Sequence, residues 1–356
     1  MTTLDRKTLI RLINGDLVRH PRQTQRQRTY TADDADAVRV IRESWDYPCA
    51  ARMAPNLRWM AQQLVMHGEL TVSPDVLSRL AVVSISTVSR IVQGMEQDEP
   101  KLPRRAPSGI SAALRDIPMT RIPWDTKDPG HFETDLVHHC GDSTDGQYMH
   151  TLQLIDVATG WSERVALLGK SYTRMEDAFA QVLARLPFPI VELHPDNGGE
   201  FFSSYLRTFW EKEIAAAQIS RSRPYHKNDN RFVEQRNSSE VRSYLGTQRL
   251  DTQVQTLAAN RLYDKLWVYY NLFQPVLHMD KKAFLVNDDG SFKLKRHHDR
   301  AKTPFDRLCG TGVLTTDKQA QLERLRNQTN PRRLRTEIYD LIDQILAMPS
   351  AATCES

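Results

Sequence analysis

His131-Phe132-Glu133-Thr134-Asp135-Leu136-Val137-His138-His139-Cys140 reads as a β-strand with polar residues set among apolar ones. Strand-like runs follow at 147–157 and 162–168. A helical pattern at 173–186 then leads into a buried-looking strand at 188–193, a helix at 203–216, a short strand near 218–221, and further helices from 231 and 253. Three strands in succession followed by alternating helix and strand predict a mixed sheet flanked by helices.

Upstream, Pro100, Pro103, Pro107, Pro118 and Pro123, with Lys101, Arg104 and Arg105 among them, read as an extended basic linker. Before that linker the sequence is helical. Thr31 with Asp33 and Asp34 forms an N-cap region leading to Val38, Ile41 and Trp45 on one face. Leu57, Met60, Ala61 and Leu64 repeat at helical spacing, and Ser73-Pro74 opens a further helix. Ser86 is expected to cap the next one, with Val88, Ile91, Val92 and Met95 inward and Ser86, Thr87, Ser89, Arg90 and Gln93 outward. The pair suits a helix-turn-helix that reads DNA, and equally a plain helical hairpin. Downstream, Asp289-Gly290 between alternating residues predicts a β-hairpin carrying Lys293 and Lys295. Residues 317–348 read as helix, broken near Asn330-Pro331, with Leu334, Ile338, Leu341 and Ile345 as a packing stripe. The expected organisation is a basic arm (1–30), a helical region (31–96), the linker (97–128), an α/β core (129–272) and a β-hairpin and helical region (273–356).

The chain has 356 residues, 40% of them hydrophobic, enough for more than one core, and its 48 Lys and Arg against 44 Asp and Glu leave a net charge of +4. That average identifies no partner, but basic residues cluster at 1–30, 293–307 and 332–335, where arms can follow phosphates or simply face solvent. The four cysteines have no paired spacing, which argues against a disulfide framework or a cysteine zinc site. With no apolar run of membrane length and no signal-like start, the expected location is cytoplasmic, at the nucleoid, with no membrane partner.

Three acidic residues fall at the edges of predicted elements. Asp135 lies inside an apolar strand, where a carboxylate is costly unless it is paired or binds metal; an edge-strand Asp facing solvent is the plain alternative. Asp196 follows a strand in His194-Pro195-Asp196-Asn197-Gly198-Gly199-Glu200-Phe201, a sequence that also makes a good turn. Glu234 stands near the start of a helix in Lys227-Asn228-Asp229-Asn230-Arg231-Phe232-Val233-Glu234-Gln235-Arg236-Asn237, where a surface glutamate needs no role. Glu133, Asp142, Asp156, Glu200 and Glu240 rank below these three. His138 and His139 fall on opposite faces of the strand, against a shared metal.

Residues 132–249 resemble the catalytic core of the retroviral integrase and bacterial insertion-sequence transposase superfamily, on the strength of Glu133-Thr134-Asp135 and the two blocks just quoted. The resemblance implies a ribonuclease H-like α/β fold with a helical N-terminal DNA-binding region and a small C-terminal β and helical region. It also implies Asp135, Asp196 and Glu234 as catalytic ligands of two Mg²⁺ or Mn²⁺ ions. The implied reaction is cleavage at the ends of a mobile element followed by 3′-hydroxyl strand transfer into target DNA, by a homo-multimer on double-stranded DNA. Lys227, Asn228 and Asn230 would hold DNA beside the metals, with Arg90, Arg104, Arg105, Lys293 and Lys295 as further contacts. A catalytically inert DNA-binding regulator and a structure-selective nuclease are the alternatives. Many relatives carry a basic residue seven positions after the catalytic glutamate; here position 241 is Val, and Arg242 stands about 100° further round an α-helix.

Overall fold

The computed structural model describes residues 6–15, 29–95, 127–195, 204–215, 217–220, 231–286 and 292–351. Helix α1 (Arg6–Ile13) precedes a helical group made of α2 (Ala32–Ser44), α3 (Ala50–Met53), α4 (Leu57–Met66), α5 (Pro74–Val82) and α6 (Ile85–Gln93). Thr31 begins α2 as expected, its backbone N–H donating to Asp34 Oδ2 at 2.7 Å. Ser73 Oγ accepts from Val76 N at 3.3 Å to start α5. The cap of α6 is Ser84 rather than Ser86, its Oγ accepting from Thr87 N at 3.2 Å. The break between α5 and α6 is therefore only Val83 and Ser84, and Ile85, which a cap at Ser86 would leave outside the helix, opens it half exposed.

The sheet begins with β1 (His131–His138), β2 (Met149–Asp156) and β3 (Ser162–Leu168), which pair antiparallel in sequence order. Helix α7 (Tyr172–Arg185) buries Met175, Ala178, Phe179 and Val182 and returns the chain to β4 (Glu192–Pro195), parallel to β1. Helix α8 (Ser204–Glu213) leads to the short β5 (Gln218–Ile219), parallel to β4. The strand order is β3-β2-β1-β4-β5 in a mixed sheet, the arrangement that three strands followed by alternation predict. The expected strand at 188–193 is displaced: Phe188 and Ile190 are buried but outside the ladder, so their apolarity reports packing on the core rather than strand pairing.

Helix α9 (Arg231–Arg236) runs without a break through a π-helical turn (Asn237–Arg242) into α10 (Ser243–Leu245). Helix α11 (Gln253–Val268) follows, and it too ends in a π-helical turn (Tyr269–Phe273). These last two elements close the outer edge of β3. Asn260 accepts from Ala166 N at 2.8 Å and donates to Ala166 O at 2.9 Å, and Asn271 makes the same pair of bonds to Ser162 at 2.9 Å each. An uncovered edge strand is a template for pairing with other chains. Replacement Asn260→Ala is expected to cost about 2 kcal/mol, because it strands two backbone groups, and to promote aggregation; urea unfolding with light scattering checks both.

The hairpin is β6 (Met279–Val286) with β7 (Phe292–His298), followed by α12 (Pro304–Cys309), α13 (Thr316–Gln328) and α14 (Pro331–Ala347), the last capped by Asn330. The inward stripe of α14 is Leu334, Ile338, Ile342 and Ile345; Leu341 is only partly buried, because a helix returns to one face after three or four residues and Ile342 falls there instead. This stripe packs within the chain. Trp45 Nε1 donates to Phe273 O at 2.8 Å and Gln274 Nε2 to Trp45 O at 2.8 Å, while Arg335 and Tyr339 of α14 both reach Asp46 Oδ1. The N-terminal helices and the C-terminal helices thus share one core with α11. No helix among the described residues is long and apolar enough to cross a membrane.

Candidate active site

Alternation along β1 puts Glu133, Asp135, Val137 and His139 on one face, and α9 with its π-turn lies over it. Asp135 is half-buried; its Oδ1 accepts from Leu136 N at 2.8 Å and its Oδ2 from Asn237 Nδ2 at 2.6 Å. Asn237 lies three residues after Glu234, the spacing of neighbours on a helix face. Glu234 is exposed in the first turn of α9. Glu133 is buried, and its Oε2 accepts from the first-turn amides of Phe232 at 2.8 Å and Val233 at 2.9 Å. The strand bearing Asp135 and the helix bearing Glu234 are therefore joined by hydrogen bonds on both sides of Glu234.

Of the lower-ranked acidic residues, Asp156 and Glu240 have structural tasks, and Glu200 lies outside the described residues. Asp156 accepts from Gly130 N, Thr159 N and Thr159 Oγ1 at the turn after β2. Glu240 is fully buried between Arg164 and Arg236. Glu133, ranked below the three carboxylates, and Asn237, given no role in the sequence, carry contacts to this face; the signal for Asn237 was its place three residues beyond Glu234. Gln153, opposite Asp135 in β2, is fully buried with neither side-chain polar atom bonded within the described structure, and Asn237 Oδ1 is in the same condition. Such groups are where ordered water is expected.

The π-turn changes the reading of Arg242. Bonding from each residue to the fifth before it fits one more residue into the turn than an α-helix does, so the face that an α-helix reaches after seven residues is reached here after eight. Arg242, not Val241, returns towards the Glu234 face; Val241 is fully buried. Burial lowers the Arg242 guanidinium below its ordinary pKa, opposed by Cys140, Tyr263 and Asp135. The Asp135 carboxylate is thus within electrostatic reach of a half-buried cation.

His139 faces the same helices. Its Nε2 shares a hydrogen bond with Thr151 Oγ1 at 2.9 Å, and burial followed by Arg242 pushes its pKa down to about 3. Burial and Arg307 push His278 down to about 4, whereas burial pushes Asp156 up to about 6 against its three donors. The histidines stay neutral when folded and take protons when unfolded below their ordinary 6.5, so their stabilisation is present above that pH and lost on acidification. Asp156 acts oppositely, its stabilisation being full below 3.8 and lost as pH rises through 6. From pH 6 to 4 these three groups leave the unfolded chain one proton richer, which lowers stability by about 1.4 kcal/mol per pH unit. Urea midpoints across that range check the slope, and His139→Gln should flatten it.

Of the remaining sequence-predicted residues, Asp196, Arg104, Arg105, Lys227, Asn228 and Asn230 lie outside the described residues. Arg90 is exposed on α6, donating to Ser86 O and Thr87 Oγ1. Lys293 and Lys295 stand on β7, opposite Leu285 and Ala283 of β6. Among the described residues no three His, Cys, Asp or Glu side chains converge as a metal site. Asp135 on β1 and Glu234 on α9 could offer carboxylate oxygens, the hard-donor chemistry that suits Mg²⁺ or Mn²⁺.

No protein-family model matches the chain. Among solved structures it resembles the catalytic core domain of BIV integrase, at 14% identity and a TM-score of 0.30, covering 41% of this chain and 85% of that one. It also resembles the HTLV-2 integrase catalytic core domain in complex with magnesium, in a dimeric form, at 16% identity and a TM-score of 0.31, covering 42% and 90%. The uncharacterized protein y4rM of Sinorhizobium fredii (strain NBRC 101917 / NGR234) is 30% identical over 319 residues, 88% of this chain and 89% of its own length. At that identity, sustained over nearly the whole of both chains, the protein belongs to the family of Sinorhizobium fredii y4rM.

Proposed function

We propose that the chain is a DNA transposase of the type that uses two aspartates and a glutamate, cutting the ends of a mobile element and joining the freed 3′-hydroxyl to target DNA. The observation that supports this most is the bond from Asn237 to Asp135, which ties the strand of one catalytic carboxylate to the helix of another. The third is Asp196. Pro195, the residue before it, ends β4 and pairs with Thr134 of β1, and Asp196 itself lies outside the described residues.

Asp135, Asp196 and Glu234 would hold the metal. Two divalent ions, when bound there, would supply charge stabilisation for the attacking and leaving oxygens of phosphodiester exchange. The chain's own residues prepare that step. The N–H of Leu136 and the amide of Asn237 fix the Asp135 carboxylate in one orientation, and the anchored first turn of α9 does the same for the helix of Glu234. Arg242 and Lys227 neutralise phosphates flanking the scissile bond, and Asn228 and Asn230 hydrogen-bond them. Helices α5 and α6 present Arg90 to a DNA groove as a helix-turn-helix, and Arg104, Arg105, Lys293 and Lys295 follow the backbone. Water attacks first and the liberated 3′-hydroxyl attacks second, so no covalent protein intermediate forms. Joining two ends to one target calls for a multimer of this chain.

The deciding experiment incubates labelled DNA bearing the gene's native flanks with a supercoiled plasmid, Mg²⁺ or Mn²⁺, and the purified chain. Metal-dependent joined product is the expected result. Cleavage without joining would assign the chain to the nucleases, and binding without either would assign it to DNA-binding regulators.

A further inference from the structure

We propose that Glu133 is a positioning residue whose buried carboxylate fastens the first turn of α9, and with it Glu234, to the strand that carries Asp135. The inference rests on the carboxylate site of the preceding section. Glu133 is 1% exposed in the central strand, paired with Ile155 of β2 on one side and His194 of β4 on the other. It therefore stands where the strand of Asp135, the strand leading to Asp196 and the helix of Glu234 come together.

Burying a carboxylate is costly unless hydrogen bonds compensate it. Here a single oxygen, Oε2, accepts two backbone N–H groups, from Phe232 at 2.8 Å and Val233 at 2.9 Å. Both belong to the opening turn of α9, where amides lack partners within the helix. Acceptance by an ion makes such bonds short and strong. Val233 is itself fully buried, so backbone bonding and side-chain packing fix the helix start together. Glu234 is the next residue. Asp135 lies two positions beyond Glu133 on the same face of β1, so the relation of the two catalytic carboxylates is set by Glu133 before Glu234 and by Asn237 after it. Sequence order hides this role, because a hundred residues separate the acceptor from its donors.

The test uses the full-length chain as wild type, Glu133→Ala and Glu133→Gln, with two readouts beyond DNA joining: hydrogen exchange of the Phe232 and Val233 amides, and Mn²⁺ binding followed by electron paramagnetic resonance. In Glu133→Ala both amides are expected to exchange about tenfold faster or more, the value of one lost hydrogen bond to a charged group. Mn²⁺ affinity is expected to fall about 10–100-fold, as for other residues that orient metal ligands. The turnover of joining should fall with KM for DNA unchanged. Glu133→Gln keeps an acceptor oxygen, so its amides should stay protected and its Mn²⁺ affinity lie between the other two. If the alanine variant does not fold, Glu133→Asp, which keeps the charge but withdraws the oxygen by one methylene, takes its place.

Wild-type exchange at Phe232 and Val233 in Glu133→Ala would overturn the proposal, as would faster exchange with unaltered Mn²⁺ affinity. Faster exchange in a chain that binds no Mn²⁺ even as wild type would keep the anchor and sink the metal site instead.

Discussion

Asp135→Asn is expected to lower both end cleavage and strand transfer by about 10³-fold or more, while DNA affinity at fixed salt and the melting temperature stay near those of the parent chain. Divalent-ion stabilisation of a phosphoryl-transfer transition state is worth several kcal/mol, and each 1.4 kcal/mol is about tenfold in rate. The substitution preserves shape. An asparagine oxygen can still accept from Leu136 N or from the Asn237 amide, so the link between β1 and α9 survives the loss of charge. A folding defect is thereby separated from a chemical one. The measurement is joining of labelled flank DNA to plasmid under Mg²⁺ and under Mn²⁺, with gel-shift affinity and thermal unfolding on the same preparations. An Asp135→Asn protein joining at more than a tenth of the parent rate would remove Asp135 from the reaction, and the exposed Glu234 would lose its partner.

The order of strands was legible because β1, β2 and β3 are short runs of mixed polar and apolar residues, of lengths that fit strands and not helices. Strand β4 starts four residues later than expected for a physical reason. Phe188 and Ile190 are apolar because they pack on Phe132, Trp161 and the core, and burial without pairing leaves the same trace in sequence as a buried strand. The face of α9 was legible only as far as Asn237. An α-helical period assumes about 100° per residue, and nothing in Asn237-Ser238-Ser239-Glu240-Val241-Arg242 announces a π-turn. Arg242 was consequently read off the Glu234 face, and Glu240 was ranked below Glu234 without its buried ion pairs being foreseen. Asp135 was legible because a carboxylate inside an apolar strand demands a partner. Glu133 makes the same demand, but its partners are backbone amides, which no side-chain pattern reveals.

That π-turn also bears the second large effect. Glu240→Ala is expected to destabilise the chain by about 3–5 kcal/mol, the cost of removing one partner from a buried ion pair. Glu240 is fully buried and bonded to Arg236 through Oε1 and paired with Arg164 through Oε2; Arg164 in turn lies 5.0 Å over the Tyr270 ring. Burial has already lowered the Arg164 guanidinium to about 10, and burial with Arg52 has lowered Arg236 to about 9. Without Glu240 the buried Arg164 and the partly buried Arg236 would both lose their carboxylate partner. Urea unfolding should register the loss, and adding Arg164→Met should recover a large part of it, because replacing both members of a buried pair by apolar groups is often neutral. A single variant within 1 kcal/mol of the parent would mean that solvent or another carboxylate compensates the arginines. The consequence reaches the site, since the turn that delivers Glu240 to Arg164 begins at Asn237, the donor to Asp135. The double variant should therefore regain stability before it regains strand transfer, because packing can hold the helix on the sheet while only the π-turn keeps Asn237 on Asp135.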